Sequence, residues 1–355
     1  MKLSRKGISF VLLMLFVISS LVGCGAKVAS QTPNPEAAKP KNSALSDADA
    51  KLQAALAPLP KKGGKAKLAA LEITLANPFW VTMKQGYEDA AKDYGATIDV
   101  LAAPKENDIN SQLEALQTLL AKDYNAIGIS PMTGLNLIPG VAEATKKGVP
   151  IIAVGTNVDL TEAQKAKASI SAYLTTDFEG QGKMAADYIM SKVSSGKVAI
   201  IEGLPDAPQG VARREGAKKE LATNKNIALV SVQPGNWDQQ TAYNIAQNLI
   251  QANPDLKGIF CANDIMALGA VTALKTAGKK DQIVVVGVDF IDQAKESITK
   301  GELDATVAMS PYLFGKGGVL LMLKVAEGQK IDHVIDWSPN VLVTKSNVGE
   351  FDGWK

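Results

Sequence analysis

From residue 66 onward the chain alternates short apolar, β-branched runs with longer stretches of helical period, and this alternation restricts the possible folds most. The runs are 68–74, 97–101, 126–130, 150–154, 168–174, 198–202, 228–232, 258–262, 283–288 and 305–308. Helical period occupies 81–94, 109–122, 180–192, 213–223 and 240–251, often stopped by glycine or a Gly-Lys step. Strands that are apolar along their whole length need cover on both faces, which helices on a parallel sheet provide. So many strands exceed one small doubly wound sheet, and the irregular stretch 155–168 fits no eightfold barrel register. The pattern predicts an α/β protein of two doubly wound parallel-sheet lobes with a cleft between them.

Ahead of that body, residues 1–24 combine a basic start (Lys2, Arg5, Lys6), an apolar run from Ile8 to Val22, and the tetrapeptide Leu21-Val22-Gly23-Cys24. A basic segment before a short apolar core is an export signal, and the run is short of the about 20 residues a spanning helix needs. The tetrapeptide resembles the bacterial lipobox, whose cysteine is diacylated and becomes the new amino terminus once the signal peptide, here residues 1–23, is cleaved. Two acyl chains on one residue anchor stably. The alternatives are an ordinary secretory signal with a chance cysteine, or an uncleaved anchor helix. Residues 24–65 then comprise the acylated Cys24 and a flexible linker rich in Ala, Lys, Pro, Ser and Gln, with prolines at 33, 35, 40, 58 and 60. The expected location is extracytoplasmic, tethered to the cell membrane.

Composition removes several function classes. Hydrophobic residues make up 46% and charged residues 21%, as in an ordinary globular domain. Losing residues 1–23 takes three of the 38 basic side chains and none of the 36 acidic ones, which leaves a net charge of −1 and no call for nucleic acid. The only cysteines are Cys24 and Cys261, so an acylated Cys24 leaves Cys261 as a buried structural thiol. The single histidine, His333, sits in a connector, which argues against Ser-His-Asp, Cys-His and His/Cys metal chemistry. No cofactor is expected.

In open α/β sheets ligands bind beyond the carboxyl ends of the strands. Those ends read Asn77-Pro78-Phe79-Trp80, Thr176-Asp177, Asn236-Trp237-Asp238, Asn263-Asp264 and Asp289-Phe290, with Arg213 opening the helix after the 198–202 run. Aromatic faces beside Asp, Asn and Arg suit a neutral, polyhydroxylated ligand: rings stack on C–H faces, and each charge-assisted hydrogen bond contributes roughly 1.5 to 3 kcal/mol. Taken singly, Phe79 and Trp237 read equally well as lid or packing residues, Asn263 and Asp289 as helix N-caps, and Arg213 as a surface charge. Asp238 and Asp264 read as capping or hinge residues. Their joint appearance at successive strand ends favours a site.

Over about residues 66–345 the chain resembles the type I periplasmic sugar-binding proteins of ABC importers, in the ribose-binding-like branch. Asn77-Pro78-Phe79-Trp80-Val81 resembles the family's entry motif, and Asp177 with Gly182-Lys183 its first crossover between lobes. Arg213 before Gly216 resembles the sugar-binding arginine and Trp237 the second stacking aromatic. The string from Phe260 to Gly269 is similar to the signature Phe-x-x-Asn-Asp-x-Met-Ala-x-Gly, and Val286-Gly287-Val288-Asp289 to the Val-Gly-x-Asp strand end. The resemblance implies two lobes, 66–176 plus 310–339 and 177–309 plus 340–355, joined by a multi-strand hinge that closes on its ligand. It implies Phe79, Trp80 and Trp237 around a ring, with Asn77, Arg213, Asn263 and Asp289 on hydroxyls. It also implies a permease and an ATPase subunit as partners, no enzymatic activity, and a monomeric clamp.

Three departures bear on the ligand. Gly155-Thr156 stands where the family often has Asp-Arg, with Asn157 the nearest polar substitute; Met309 stands for a glutamine beside the hinge; and Ser130 replaces an asparagine. With Thr176, these positions are expected to border the ligand, and fewer polar contacts favour a deoxy sugar, polyol or other less polar molecule. Other readings are weaker. A transcription regulator of this design needs an N-terminal DNA-reading module where residues 1–65 supply a signal and linker, and Gly180-Gln181-Gly182-Lys183 is a poor phosphate cradle. A lipoprotein presenting its ligand to a chemoreceptor or histidine kinase is the serious alternative to import.

Overall fold

The computed structural model describes residues 43–351. Cys24 and the export signal lie outside the described residues. The chain enters with α1 (Ser43–Ala55) and then builds a first βα series: β1 (Lys67–Thr74), α2 (Pro78–Tyr94), β2 (Thr97–Ala103), α3 (Ile109–Leu120), β3 (Ala126–Ile129), α4 (Ile138–Lys147), β4 (Ile151–Val154), α5 (Leu160–Lys165) and β5 (Ala172–Thr176). A second series follows: α6 (Phe178–Lys192), β6 (Gly196–Glu202), α7 (Pro208–Leu221), β7 (Ile227–Pro234), α8 (Gln239–Ala252), β8 (Leu256–Cys261), α9 (Asp264–Thr276), β9 (Val284–Asp289), α10 (Asp292–Lys300) and β10 (Ala305–Ala308). The chain closes with α11 (Pro311–Ala326), β11 (Val334–Ser338) and β12 (Val341–Thr344).

Two six-stranded sheets result, ordered β11-β5-β4-β3-β1-β2 and β12-β10-β9-β8-β6-β7. All pairings are parallel except that between β10 and β12. The chain crosses between the sheets three times, after β5, β10 and β11. This is the two-lobe α/β architecture that the alternation predicts. Its strands are uniformly apolar because both faces are covered: Leu68 and Ala70 of β1 face α2 and α11, while Ala69 and Leu71 pack with Leu116, Leu119 and Val141 of α3 and α4. The edge strands β11 and β12 are absent from the predicted runs: β11 keeps exposed positions and is broken by Asp336, and β12 is only four residues long.

Helix starts are set locally. Asn77, Asp108, Asp159, Asp177, Asp238, Asn263 and Ser310 each accept a backbone N–H in the first turn of the helix they precede. Asp238 is thus a cap, as the sequence suggests. Helices α6 and α7 approach so closely at Gly182 that a Cβ there would lie 1.9 Å from the Arg213 carbonyl oxygen, and this contact fixes the backbone that carries Arg213.

The predicted linker requires a correction. Residues 43–55 form α1, and Ala48, Leu52 and Leu56 are 1%, 0% and 2% exposed on one stripe of the helical period. Lys316 pairs with Asp49 at 2.7 Å, and the buried Lys324 Nζ donates to the carbonyls of Leu56 (2.7 Å) and Pro58 (3.0 Å). These α11 partners lie far away in the chain, which is why local composition misreads the segment. Leu52→Ala should lower the unfolding free energy by about 2–5 kcal/mol in a urea titration, whereas a mere tether would leave it unchanged.

Candidate functional site

The carboxyl ends of both sheets face one another across a cavity, and a backbone hydrogen bond from Gly134 N to Asp206 O (3.4 Å) joins the lobes at its rim. About 30 Å³ is open to the centre of a water-sized sphere. Adding the radius of water all round gives roughly 150 Å³, the scale of a cavity that takes one benzene-sized ring.

From the first lobe, the β1–α2 turn supplies Asn77, Phe79 and Trp80. Asn77 caps α2 by accepting from Phe79 N at 3.0 Å, while its Nδ2 donates to Glu106 Oε1 at 2.8 Å. Trp80 Nε1 donates to the same oxygen at 3.3 Å, and the Phe79 and Trp80 rings meet edge to face with centroids 5.0 Å apart. Burial pushes the Glu106 carboxyl up to about 7, with Asn77 and Trp80 opposing the rise. Gly155 and Thr156 line the same wall beyond β4, but the Thr156 hydroxyl already donates to Pro131 O at 2.9 Å.

The second lobe supplies Gln209, Arg213, Trp237, Asn263 and Asp289. Arg213 is 3% exposed; its Nε donates to Gln181 Oε1 (2.7 Å), Nη1 to Ala262 O (2.8 Å) and Nη2 to Asp289 Oδ1 (3.2 Å). Its guanidinium lies 5.5 Å from the centroid of the Phe178 ring. Burial raises the Asp289 carboxyl to about 6, and the arginine restrains that rise. Beneath the pair, Asp264 accepts from Thr306 Oγ1 (2.7 Å) and Ile291 N (3.0 Å), tying the loop after β9 to α9. Asp289 and Phe290 adopt φ of 114° and 59°, a backbone that L residues seldom hold without compensating contacts. Asn236 and Trp237 are likewise left-handed at 53° and 63°, and the indole lies where a Cβ on Gly203 would come within 2.0 Å of its ring.

The crossovers between lobes complete the wall with Phe178, Met309 and Phe314. Gln181 reaches all three crossings: beyond holding Arg213 from α6, its Nε2 contacts Met309 Sδ at 3.2 Å and Asn340 Oδ1 at 2.8 Å. Asn340 in turn donates to Asp177 O at 2.8 Å.

Of the residues singled out from the sequence, Asn77, Phe79, Trp80, Arg213, Trp237, Asn263, Asp289 and Met309 meet at the cavity. Four do not, and each has another use. Asp177 caps α6 at Gly180 N (2.7 Å), and Thr176 Oγ1 donates to Ser338 O (2.9 Å). Ser130 Oγ donates to Val154 O (2.7 Å), and Asn157 Oδ1 accepts from Val158 N (2.8 Å). Sequence reasoning misses Glu106, Gln209, Phe178 and Phe314. Glu106 follows the end of β2 and the strand-end rule applied there would have found it; Phe314, one turn into α11, carries no such signal.

Residues 73–330 match the family described as periplasmic binding protein domain. The chain is 39% identical over 268 residues to the D-allose-binding periplasmic protein of Escherichia coli, covering 75% of this chain and 86% of that protein. It is 32% identical over 268 residues to the ribose import binding protein of the same organism, covering 75% and 87%. Among solved structures, an ABC transporter periplasmic solute-binding protein from Actinobacillus succinogenes with bound D-allose superposes with a TM-score of 0.77 at 32% identity, covering 81% of this chain and 100% of that one.

Proposed function

The chain belongs to the periplasmic binding protein domain family, and from that premise we propose that it captures a single-ring sugar or sugar-like polyol between its lobes and delivers it to an ABC importer. The observation that carries this reading is the convergence of the buried Arg213–Asp289 pair with Phe79, Trp80 and Trp237 on one ring-sized cavity at the carboxyl ends of both sheets. Fixed charges present hydrogen bonds that need no reorganisation, and the aromatic faces cover the C–H surface of the ring. The D-allose bound by the similar Actinobacillus protein supports a monosaccharide-sized ligand. The apolar Met309 and Phe314, with the engaged Thr156 hydroxyl, favour a less polar solute than ribose.

In this reading the lipobox cysteine Cys24 carries the acyl anchor outside the cytoplasm, and the clamp acts as a monomer that docks on a permease driven by its ATPase subunit. Isothermal titration calorimetry against monosaccharides, deoxy sugars and cyclitols tests the reading: one class should bind one-to-one. Trp237→Ala should then weaken binding about five- to thirtyfold, since an aromatic contact contributes about 1–2 kcal/mol when desolvated. A panel with no binder would overturn it.

A further inference from the structure

Strand order arranges the cavity wall from one end to the other. The chain crosses between lobes after β5, β10 and β11; β5 and β11 lie at one edge of the first sheet, β10 and β12 at one edge of the second, and these edges are the hinge side. Met309 follows β10, Phe178 follows β5, and Gly155 and Thr156 follow β4, the next strand inward. At the far end Asn77, Glu106 and Trp237 follow β1, β2 and β7. These three also line an open groove outside the cavity, which marks the mouth. Asp289, Asn263 and Gln209 follow β9, β8 and β6, between the two ends.

The hydrogen-bonding groups left over sit in the middle and at the mouth. Gln209, buried at 7% exposure, has no partner for Oε1 or Nε2 among the described residues. Asn263 accepts from Met266 N through Oδ1 and leaves Nδ2 unpartnered; Asp289 is met only at Oδ1 and Glu106 only at Oε1. Donors and acceptors are mixed, which suits neutral hydroxyls, since each hydroxyl both donates and accepts.

At the hinge end no side-chain donor is left over. Gly155 N donates to Leu174 O (2.8 Å), and Gly155 O accepts from the Tyr173 hydroxyl (3.1 Å). The Thr156 hydroxyl has given its proton to Pro131 O, and Met309 Sδ is met by Gln181 Nε2 at 3.2 Å. Phe178 and Phe314 add only ring carbons. Space is nevertheless open there: a Cβ on Gly155 would meet only the Met83 Cε, at 3.9 Å. A ligand hydroxyl in that space would leave water, gain no donor, and find the Thr156 oxygen as its one strong acceptor. A methyl or methylene group fills it without that cost.

We infer that the solute held between the lobes is a neutral deoxy sugar, seated with its hydroxyl-bearing edge toward Asn263, Asp289 and Gln209 and its deoxy or methyl carbon against Met309 and Phe314. Met309 is then the residue that sets the preference. This rests on the single-ring reading above and narrows it.

Calorimetry on the purified protein compares deoxy sugars with their hydroxylated parents: D-fucose with D-galactose, L-fucose with L-galactose, L-rhamnose with L-mannose, D-quinovose with D-glucose, and deoxyribose with ribose. In at least one pair the deoxy member should bind about tenfold more tightly. Met309→Gln, checked by thermal unfolding, sets an amide at the hinge end and should cut that preference to about threefold or less. Parents that bind as tightly as their deoxy partners in every pair would overturn the inference and leave the polyol reading standing, whether or not the variant folds. A deoxy preference that a folded Met309→Gln leaves intact would overturn it as well. Binding by no member of any pair would remove the polyol reading itself.

Discussion

Replacing Arg213 with methionine should abolish ligand capture and lower the unfolding free energy by about 3–5 kcal/mol, the cost of breaking a buried ion pair from one side. Arg213 and Asp289 are 3% and 6% exposed, and the guanidinium also satisfies Gln181 and the Ala262 carbonyl. Methionine keeps much of the volume but none of the donors, so the Asp289 carboxylate is left buried beside two stranded acceptors. Its carboxyl, already raised to about 6 by burial, should then rise further, because the opposing cation is gone. A folded-state value above the unfolded one means stability that is present at low pH and is lost as pH climbs. The deficit of Arg213→Met relative to wild type should therefore be flat below about pH 6, where both proteins hold the proton, and grow as pH rises above that value. Adding Asp289→Asn should recover part of the loss, a coupling that paired urea titrations of the two single variants and the double variant measure directly. Additive losses, or a deficit flat with pH, would show that the pair is not the coupled unit described here.

The second large effect runs in the stabilising direction. Glu72 sits in the middle of β1, fully buried on the face it shares with Leu68 and Ala70, and neither of its carboxyl oxygens has a hydrogen-bond partner. Burial raises its carboxyl to about 9, against 4.5 for the ordinary group; Lys84 opposes the shift and Glu88 adds to it. The folded protein therefore holds a proton that the unfolded chain releases. Stability is fully present below about pH 4.5 and declines as pH rises toward 9. At pH 7 the accumulated cost is about 3 kcal/mol, from roughly 2.5 pH units at 1.36 kcal/mol each. Glu72→Leu, which keeps the volume and removes the ionisation, should raise the unfolding free energy at pH 7 by about that amount and flatten the slope between pH 5 and 9. Equal slopes for the two proteins would place the carboxyl in contact with water, contrary to its position here.

How much of this could be read from the chain depends on where the information sits. The parallel lobes were legible because both faces of each strand are covered, which turns β3, β4 and most of β9 into unbroken apolar runs and β1 into one broken only at Glu72. The strand-end rule located Asn77, Trp237, Asn263 and Asp289 because the turns after β1, β7, β8 and β9 are short, so the residues next in sequence are also next to the cavity. Thr176, also at a strand end, instead found a partner in the hinge, and the substitutes Ser130 and Asn157, expected at the ligand from the family pattern, found partners within their own lobe. Glu72 was passed over as part of a strand, because one acidic residue in an apolar run does not disclose whether it finds a partner. Helix α1 is the plainest limit: its local composition is that of a tether, and what holds it are Lys316 and Lys324, which reach it from more than 260 residues along the chain.

Under the proposed function, one small ring is gripped between the lobes by the Arg213–Asp289 pair and the surrounding aromatic rings. A crystal structure of the protein with the tightest-binding member of the calorimetric panel tests this most directly. A single ring is expected in the cavity, with a polar group on Asp289 or Arg213 and its faces against Trp80 and Trp237. Ligand density in a different place, with these four side chains packed only on one another, would contradict it.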